Sequence, residues 1–190
     1  MATDRDASRN GYDARLLGAV ARGDRSALGR IYTDLKDDLA SAAYHLMGDA
    51  ASAEDVLQDV FVTLARTAGG IRLRESLRQY LVTCCLNRAR DLLRRKAKGP
   101  APVAEPDARP SKSEGPAEAA ARRDEAAAVR QALGGLPTEQ REVVVLRAYG
   151  RLKFREVANV LDISINTAQS RHRYAMAALR ERLAREGVTG

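Results

Sequence analysis

A proline-rich stretch near the middle of the chain limits the folds that this sequence can adopt. Five of the six prolines lie within residues 99–116, together with serines and glycines and without a periodic apolar pattern. This composition is typical of a flexible linker. We therefore predict two small units, residues 13–98 and residues 117–190, preceded by a disordered tail over residues 1–12.

Both units carry the apolar spacing of helices. Apolar residues recur at steps of three and four, and neither unit contains a convincing run of alternating β-branched residues, so we expect an all-α protein. In the first unit Asp24 is suited to cap a helix that ends at Gly48. A second helix is expected to start near Ser52. A third is predicted from about Leu73 to Lys98, which completes a three-helix bundle.

The second unit has the pattern of a helix-turn-helix domain. Pro116 is placed to open an Ala-rich helix, and three shorter helices are predicted at 137–149, 153–161 and 165–185. The step from Asp162 to Ser164 has the length of a helix-turn-helix corner. The outward residues of the last helix are types that contact base edges and phosphates, although any helical bundle can end in a polar helix. They are Asn166, Thr167, Gln169, Ser170, Arg171, Arg173 and Tyr174.

Charge predicts an anionic partner and two different surfaces on the first unit. The chain has a net charge of +7 and a pI near 9.8. Residues 24–59 hold eight acids and three bases, whereas residues 66–98 hold ten bases and two acids. The bundle should therefore present an acidic and a basic face, which suggests two partners.

Each face has a candidate set of residues and an ordinary alternative. Asp55, Gln58, Asp59 and Val62 form a line opposite the apolar stripe of the second helix, and such a line is either a solvated face or an interface. The basic cluster near the end of the third helix either keeps that segment solvated or contacts phosphates. Its members are Arg88, Arg90, Arg94, Arg95, Lys96 and Lys98.

The sequence gives no sign of a metal centre, a cofactor site, a catalytic centre or membrane insertion. Cys84 and Cys85 are adjacent and are expected to pack in the core, and metal-ligand spacing with His45 or His172 is absent. Nucleophile elbows and Gly-rich phosphate loops are also absent, so a non-enzymatic protein is expected. Since the apolar runs are too short to span a bilayer and the cysteines do not suggest disulfides, we expect a cytoplasmic protein.

Five segments, in order, resemble a known family. They are LLGAVARGDRSAL at 16–28, AEDVLQDVF at 53–61, NRARDLLRRK at 87–96, LPTEQREVVVLR at 136–147 and EVANVLDISINTAQSR at 156–171. Together they resemble the bacterial RNA polymerase sigma factors of the extracytoplasmic-function (ECF) group. The first unit then corresponds to sigma region 2 and the second to region 4.

The resemblance implies partners and roles for the candidate residues. Core RNA polymerase is the expected partner, through its β′ clamp helices and its β subunit, with Asp55, Gln58, Asp59 and Val62 docking on the clamp. Promoter DNA is the second partner: Asn87 aligns with a pocket residue for a flipped base of the minus-ten element, and the last helix binds the minus-thirty-five element. An anti-sigma factor is a further candidate partner. The remaining residues assigned to the minus-ten element are Tyr80, Arg88, Arg90, Arg94 and Arg95.

Three positions depart from the pattern of that family. An aromatic-rich melting segment is replaced by residues in which Tyr80 alone is aromatic, Asp162 stands in place of a common corner glycine, and Tyr174 replaces a frequent arginine. Asp adopts a left-handed conformation more readily than most residues, so the corner is tolerable. The alternative function is a free-standing helix-turn-helix regulator with an N-terminal sensory bundle.

Overall fold

Helices make up most of the residues that the structure describes, and no strand occurs among those residues. The computed structural model describes the backbone of residues 2–98 and 116–185, and the side chains of residues 10–97 and 124–185 within them. This confirms the predicted all-α class; the linker predicted at 99–116 lies, except for its last residue, outside the described residues. The helices are α1 Ala2–Ala21, α2 Arg25–Met47, α3 Ala50–Thr67, α4 Leu77–Lys98, α5 Pro116–Gly134, α6 Thr138–Ala148, α7 Phe154–Leu161 and α8 Ile165–Arg185, with a 3-10 turn at Ala68–Gly70.

The first helix replaces the disordered tail predicted for residues 1–12. Helix α1 begins at Ala2, and its second half is anchored because Leu16, Leu17 and Val20 are buried. The buried carboxylate of Asp13 accepts a hydrogen bond from the backbone N–H of Leu77 at 2.8 Å. Once that half is fixed by packing, extending a helix through preceding residues costs far less than starting one, which the local composition did not reveal.

Local capping chemistry sets the ends of α2 and α3. The Asp24 side chain accepts from the N–H groups of Ser26 and Ala27, and Gly48 ends α2 at φ 83°, both as predicted. Helix α3, however, is capped by Asp49, whose carboxylate accepts from the N–H of Ser52 at 2.7 Å. The helix therefore starts at Ala50, two residues before the predicted Ser52.

Helix α4 starts later than its apolar pattern predicted. The pattern placed the start near Leu73, whereas the helix begins at Leu77. Ser76 explains the difference, since its hydroxyl accepts from the N–H of Gln79 at 3.2 Å in the manner of an N-cap. Leu81, Val82, Cys85 and Leu86 then face the bundle and are almost fully buried.

The second unit contains the predicted helix-turn-helix. Helices α7 and α8 are joined at Asp162, which has φ 54° and ψ 50°, the left-handed conformation expected for this corner. The Ser164 hydroxyl then accepts from the N–H of Thr167 at 3.0 Å and caps α8. A local core forms where α5, α6 and α8 meet, from Ala132, Leu133, Leu136, Val144, Ala175 and Leu179.

Helix α6 joins the two units, which pack on each other. Val143, Val145 and Leu146 are completely buried and belong to the same apolar core as the first bundle, whereas Val144 faces the local core of the second unit. A helix that is apolar on several sides must be covered on several sides. Gly150 permits the close approach, because a Cβ there would lie 3.1 Å from Cγ1 of Val82 and 2.8 Å from the Leu146 carbonyl oxygen.

Candidate polymerase and nucleic-acid interfaces

The outer face of α3 presents the residues predicted to bind polymerase, with one difference. Asp55 and Gln58 are exposed, and Val62 is 54% exposed although it is apolar. Asp59 is half-buried, because its Oδ2 accepts from Nε of Arg88 at 2.6 Å and lies 2.5 Å from Nη2 of the same arginine. Within the part of the chain that the structure describes, Asp55, Gln58 and Val62 have no such pairing, and Asp59 ties α3 to α4.

The outer face of α4 holds the residues predicted to bind the minus-ten element. Asn87 is exposed, and Arg94 and Arg95 are exposed about two turns further along the helix. Arg94 also pairs with Asp91, its neighbour at i−3. This stripe lies opposite the buried Leu81, Cys85 and Ala89, as helical spacing requires.

Two arginines at the edges of that face are held by other helices. Arg88 pairs with Asp59 on α3, as described above, and Arg90 pairs with Glu142 on α6. The second pair is bidentate, with Nε to Oε1 at 2.7 Å and Nη2 to Oε2 at 2.6 Å. The hydrogen bonds to Glu142 raise the pKa of Arg90 above its ordinary value, so the guanidinium remains charged. The basic face is therefore partly neutralised by acids from both sides.

Tyr80 begins the same face but is not fully available for stacking. Its ring is half-buried against the bundle, and its hydroxyl and the Cys84 thiol are hydrogen-bonding partners. Burial is the main reason that the pKa of Tyr80 is raised, and the Cys84 contact adds to it. Cys84 itself is half-buried, and Cys85 is fully buried with its pKa raised by burial to about 12.

The sequence patterns did not indicate the acidic residues that pair with these arginines. Glu142 is buried within an apolar run, and Asp38 is a partly buried acid of α2 that pairs with Arg78 of α4 and with Arg151 of the second unit. The only sequence signal for Glu142 was its position next to the valines of α6, since a charged residue in a buried run needs a partner. Nothing in the sequence indicated which partner.

Four of the seven residues predicted on helix α8 are exposed. Asn166, Gln169 and Arg173 are exposed, and Tyr174 is 58% exposed. Thr167, Ser170 and Arg171 are half-buried. The Ser170 hydroxyl donates to the Thr167 carbonyl oxygen at 3.0 Å, and the Arg173 guanidinium lies over the Tyr174 ring at 5.2 Å from its centroid. All seven predicted residues lie in the first half of the helix, directly after the turn.

Three side chains, Arg147, Phe154 and His172, pack on one another behind α8. The Phe154 ring packs edge-on against His172 at 5.3 Å between centroids, and the Arg147 guanidinium lies 4.5 Å from the Phe154 centroid. Burial, together with the charge of Arg147, lowers the pKa of His172 below its ordinary value. His172 is therefore a packing residue, in agreement with its predicted inward position.

The described residues hold no group of three or more His, Cys, Asp or Glu side chains that suits a metal ion. None of the described helices is both long enough and apolar enough to cross a membrane. The described residues leave two basic or polar helical faces, on α4 and α8, and one mixed face on α3 at the surface.

Comparison with known proteins identifies the family. Residues 31–99 match the model of Sigma-70 region 2, and residues 126–179 match that of Sigma-70, region 4. The ECF RNA polymerase sigma factor SigM of Mycobacterium tuberculosis is 33% identical over 174 residues, which cover 91% of this chain and 83% of SigM. The chain belongs to the ECF sigma factors. It directs core RNA polymerase to promoters, and a free-standing regulator is not favoured.

Further relatives agree with this family. SigW of Bacillus subtilis is 24% identical over 86% of this sigma factor and 92% of its own length. The solved structure of CnrH in complex with the cytosolic domain of CnrY matches with a TM-score of 0.69 and 27% identity, covering 90% of this chain and 97% of CnrH. Sigma factors are generally non-enzymatic initiation factors that bind DNA, as the two polar helical faces suggest.

Proposed function

We propose that this sigma factor uses the outer face of α4 to capture the non-template strand of the minus-ten element. The observation that carries the proposal is the exposed Asn87 amide at the centre of a helical face flanked by Arg88, Arg90, Arg94 and Arg95. An amide can donate to and accept from the edge of an extruded base, while guanidinium groups neutralise phosphates. Tyr80, at the start of the face, offers the aromatic edge for an adjacent base.

The outer face of α3 is proposed to dock on the β′ clamp helices of core polymerase. Asp55, Gln58 and Val62 combine an apolar contact with polar groups on one side of a helix, which is the composition of many protein interfaces. Asp59 contributes mainly by holding Arg88 in this proposal. The two docking functions then lie on adjacent helices of one rigid bundle.

Helix α8 is proposed to bind the minus-thirty-five element in the major groove. Its exposed residues follow directly after the helix-turn-helix corner, where base-contacting residues of such helices lie. Residues 13–98 thus serve the polymerase clamp and the minus-ten element, and residues 117–190 serve the minus-thirty-five element and the β subunit. Because CnrH was solved with the cytosolic domain of CnrY, an anti-sigma factor is proposed as a further partner.

Strand capture is tested by removing the Asn87 amide. With the core polymerase, Asn87→Ala should slow open-complex formation on a duplex promoter and have much less effect on a template with a pre-melted bubble, because unstacking costs a few kcal/mol only when the base starts paired. Permanganate footprinting and transcript yield measure both. Asn159→Ala, an exposed asparagine of α7, is the matched control. Equal losses on both templates would show that Asn87 has another role.

A further inference from the structure

Ile165, the first residue of α8, is an exposed apolar side chain beside polar ones. It is 44% exposed and lies outside both apolar cores that the described residues form. Ile163, two positions earlier, is by contrast half-buried and packs against the core of the first bundle. Later in α8, Met176, Leu179 and Leu183 pack against the core of the second unit. Packing among the described residues therefore does not explain an isoleucine at position 165.

Exposed polar residues share one side of α8 with Ile165. Asn166, Gln169 and Arg173 follow it at i+1, i+4 and i+8, and all three are exposed. These four positions span roughly a third of the helix circumference. They directly follow the helix-turn-helix corner, and the first residues of such helices reach base edges in the major groove. Ile165 therefore belongs to a side of α8 that is open to a ligand.

The start of α8 holds Ile165 in a fixed position. The Ser164 hydroxyl accepts from the N–H of Thr167 at 3.0 Å, and the hydroxyl oxygens of these two residues lie 2.8 Å apart. A β-branched side chain in a helix also has one strongly preferred χ1 rotamer. The Ile165 side chain therefore loses little conformational entropy when it makes a contact.

An A·T base pair is the chemical partner that fits this side of the helix. In the major groove thymine presents a C5-methyl group that apolar side chains contact, and adenine presents N6 and N7 to the amides of asparagine and glutamine. Ile165 offers the apolar contact, and Gln169, one turn later, offers an amide. We propose that Ile165 is a specificity-determining residue, which contacts the C5-methyl group of a thymine in the minus-thirty-five element. This inference rests on the proposed binding of α8 to that element.

The test removes the contacting groups from the protein and from the DNA in turn. Holoenzyme containing the full chain first selects its preferred minus-thirty-five element from duplexes that are randomised over that element. Each selected thymine, on either strand, is then replaced by deoxyuridine, which lacks only the C5-methyl group, and binding is measured by titration. The variants are Ile165→Ala and the conservative Ile165→Val, and Gln131→Ala at an exposed position of α5 is the control. Thermal unfolding of each variant checks that it is folded.

One thymine should respond to the loss of its methyl group. Its replacement by deoxyuridine should weaken binding of the unsubstituted protein about three- to fourfold, as burial of one methyl-sized group predicts. Ile165→Ala should bind the thymine duplex more weakly and should no longer distinguish thymine from deoxyuridine. Ile165→Val should retain part of the discrimination, because it loses only Cδ1. Gln131→Ala should discriminate as the unsubstituted protein does.

Three results would overturn the inference, and they separate it from the proposed function of α8. If an upstream element is selected but deoxyuridine does not weaken binding of the unsubstituted protein at any position, Ile165 contacts no methyl group and the binding of α8 to the element stands. If Ile165→Ala remains as sensitive to deoxyuridine as the unsubstituted protein, another side chain makes the contact. If no upstream sequence is selected, the proposed function of α8 is itself wrong.

Discussion

The two helices proposed to bind promoter DNA differ in how their arginines are engaged. On α4, Arg88 and Arg90 are paired with acids of α3 and α6, and only the centre of the face is open. On α8, Arg173 is exposed and stacks on an exposed tyrosine, and Asn166 and Gln169 are exposed as well. Binding to α4 thus requires an exchange of partners, whereas binding to α8 requires little beyond desolvation.

This difference has a simple physical origin. Helix α8 is held from behind by the Arg147, Phe154 and His172 group, so that its outer residues are not needed for packing. Helix α4 lies in the middle of the molecule, with α3 on one side and the second unit on the other. Long arginine side chains at the edges of such a helix reach acids of both neighbours.

The largest effect is expected on α8, where no exchange of partners intervenes. We predict that Arg171→Ala costs about 1 to 3 kcal/mol on the preferred minus-thirty-five element and weakens discrimination at one base pair, since the guanidinium fork suits the O6 and N7 acceptors of guanine. Arg173→Ala should instead weaken all sequences alike and reduce the salt dependence by about one contact. Titrations of holoenzyme against single-base variants at two salt concentrations measure both.

Loss of base preference in the Arg173→Ala protein, with preference retained in Arg171→Ala, would reverse the two assignments. Equal and sequence-independent losses for both would mean that α8 contacts only the backbone through these arginines. Either result would change the comparison with α4, because Arg171 on α8 would then make no base-specific contact.

A smaller effect is expected from pH at the contact between the units. Burial, with the nearby charge of Arg130, lowers the pKa of His45 from 6.5 to about 4. Its ring lies between Tyr44 and Tyr149, and Nδ1 has no hydrogen-bond partner among the described residues. The folded state favours the neutral ring. His45 therefore contributes fully to the free energy of unfolding above about pH 6.5, and this contribution is lost as the pH falls from there towards 4.

Urea unfolding at pH 7.5 and pH 5 measures the effect. The pKa shift, discounted for the exposed part of the ring, predicts a loss of about 1 to 2 kcal/mol from His45 over this interval. His45→Gln should reduce the pH dependence; the remainder includes His172, whose pKa is also lowered. An unchanged pH dependence in His45→Gln would assign the effect to other groups.

The sequence predicted the features that depend on neighbouring residues. Asp24, Gly48 and Asp162 each act on backbone groups within a few positions, so their capping or turn conformations follow from local chemistry. The choice of Asp49 over Ser52 as the cap of α3 was missed because both residues have cap-forming oxygens. Lys96 does not distinguish them, since its ammonium donates to the Asp49 carboxylate at 3.0 Å and to the Ser52 hydroxyl at 2.6 Å.

Sequence patterns could not predict the contacts that join the two units. The proline-rich stretch predicted two helical units but gave no sign of the contact between them, in which α6 packs into two apolar cores. Arg90 and Glu142 are 52 positions apart, and their pairing depends on how α4 and α6 cross. The candidate residues on the faces could be named from helical spacing, but their ion-pair partners could not.

The smallest predicted effect is on binding to core polymerase, and it compares two acids of α3: Asp55, which is exposed, and Asp59, which pairs with Arg88. Asp55 is exposed, so Asp55→Lys should weaken binding to core polymerase by less than about 1 kcal/mol, mainly through slower and more salt-sensitive association, and should leave stability unchanged. Asp59→Lys should in addition lower the unfolding free energy, because it places a cation beside Arg88, 2.6 Å from the present carboxylate. Association rates with core enzyme and thermal unfolding of both variants measure the two effects. If both variants lose stability equally, the Asp59–Arg88 pair contributes nothing specific, and if neither slows association, the outer face of α3 is not the polymerase contact.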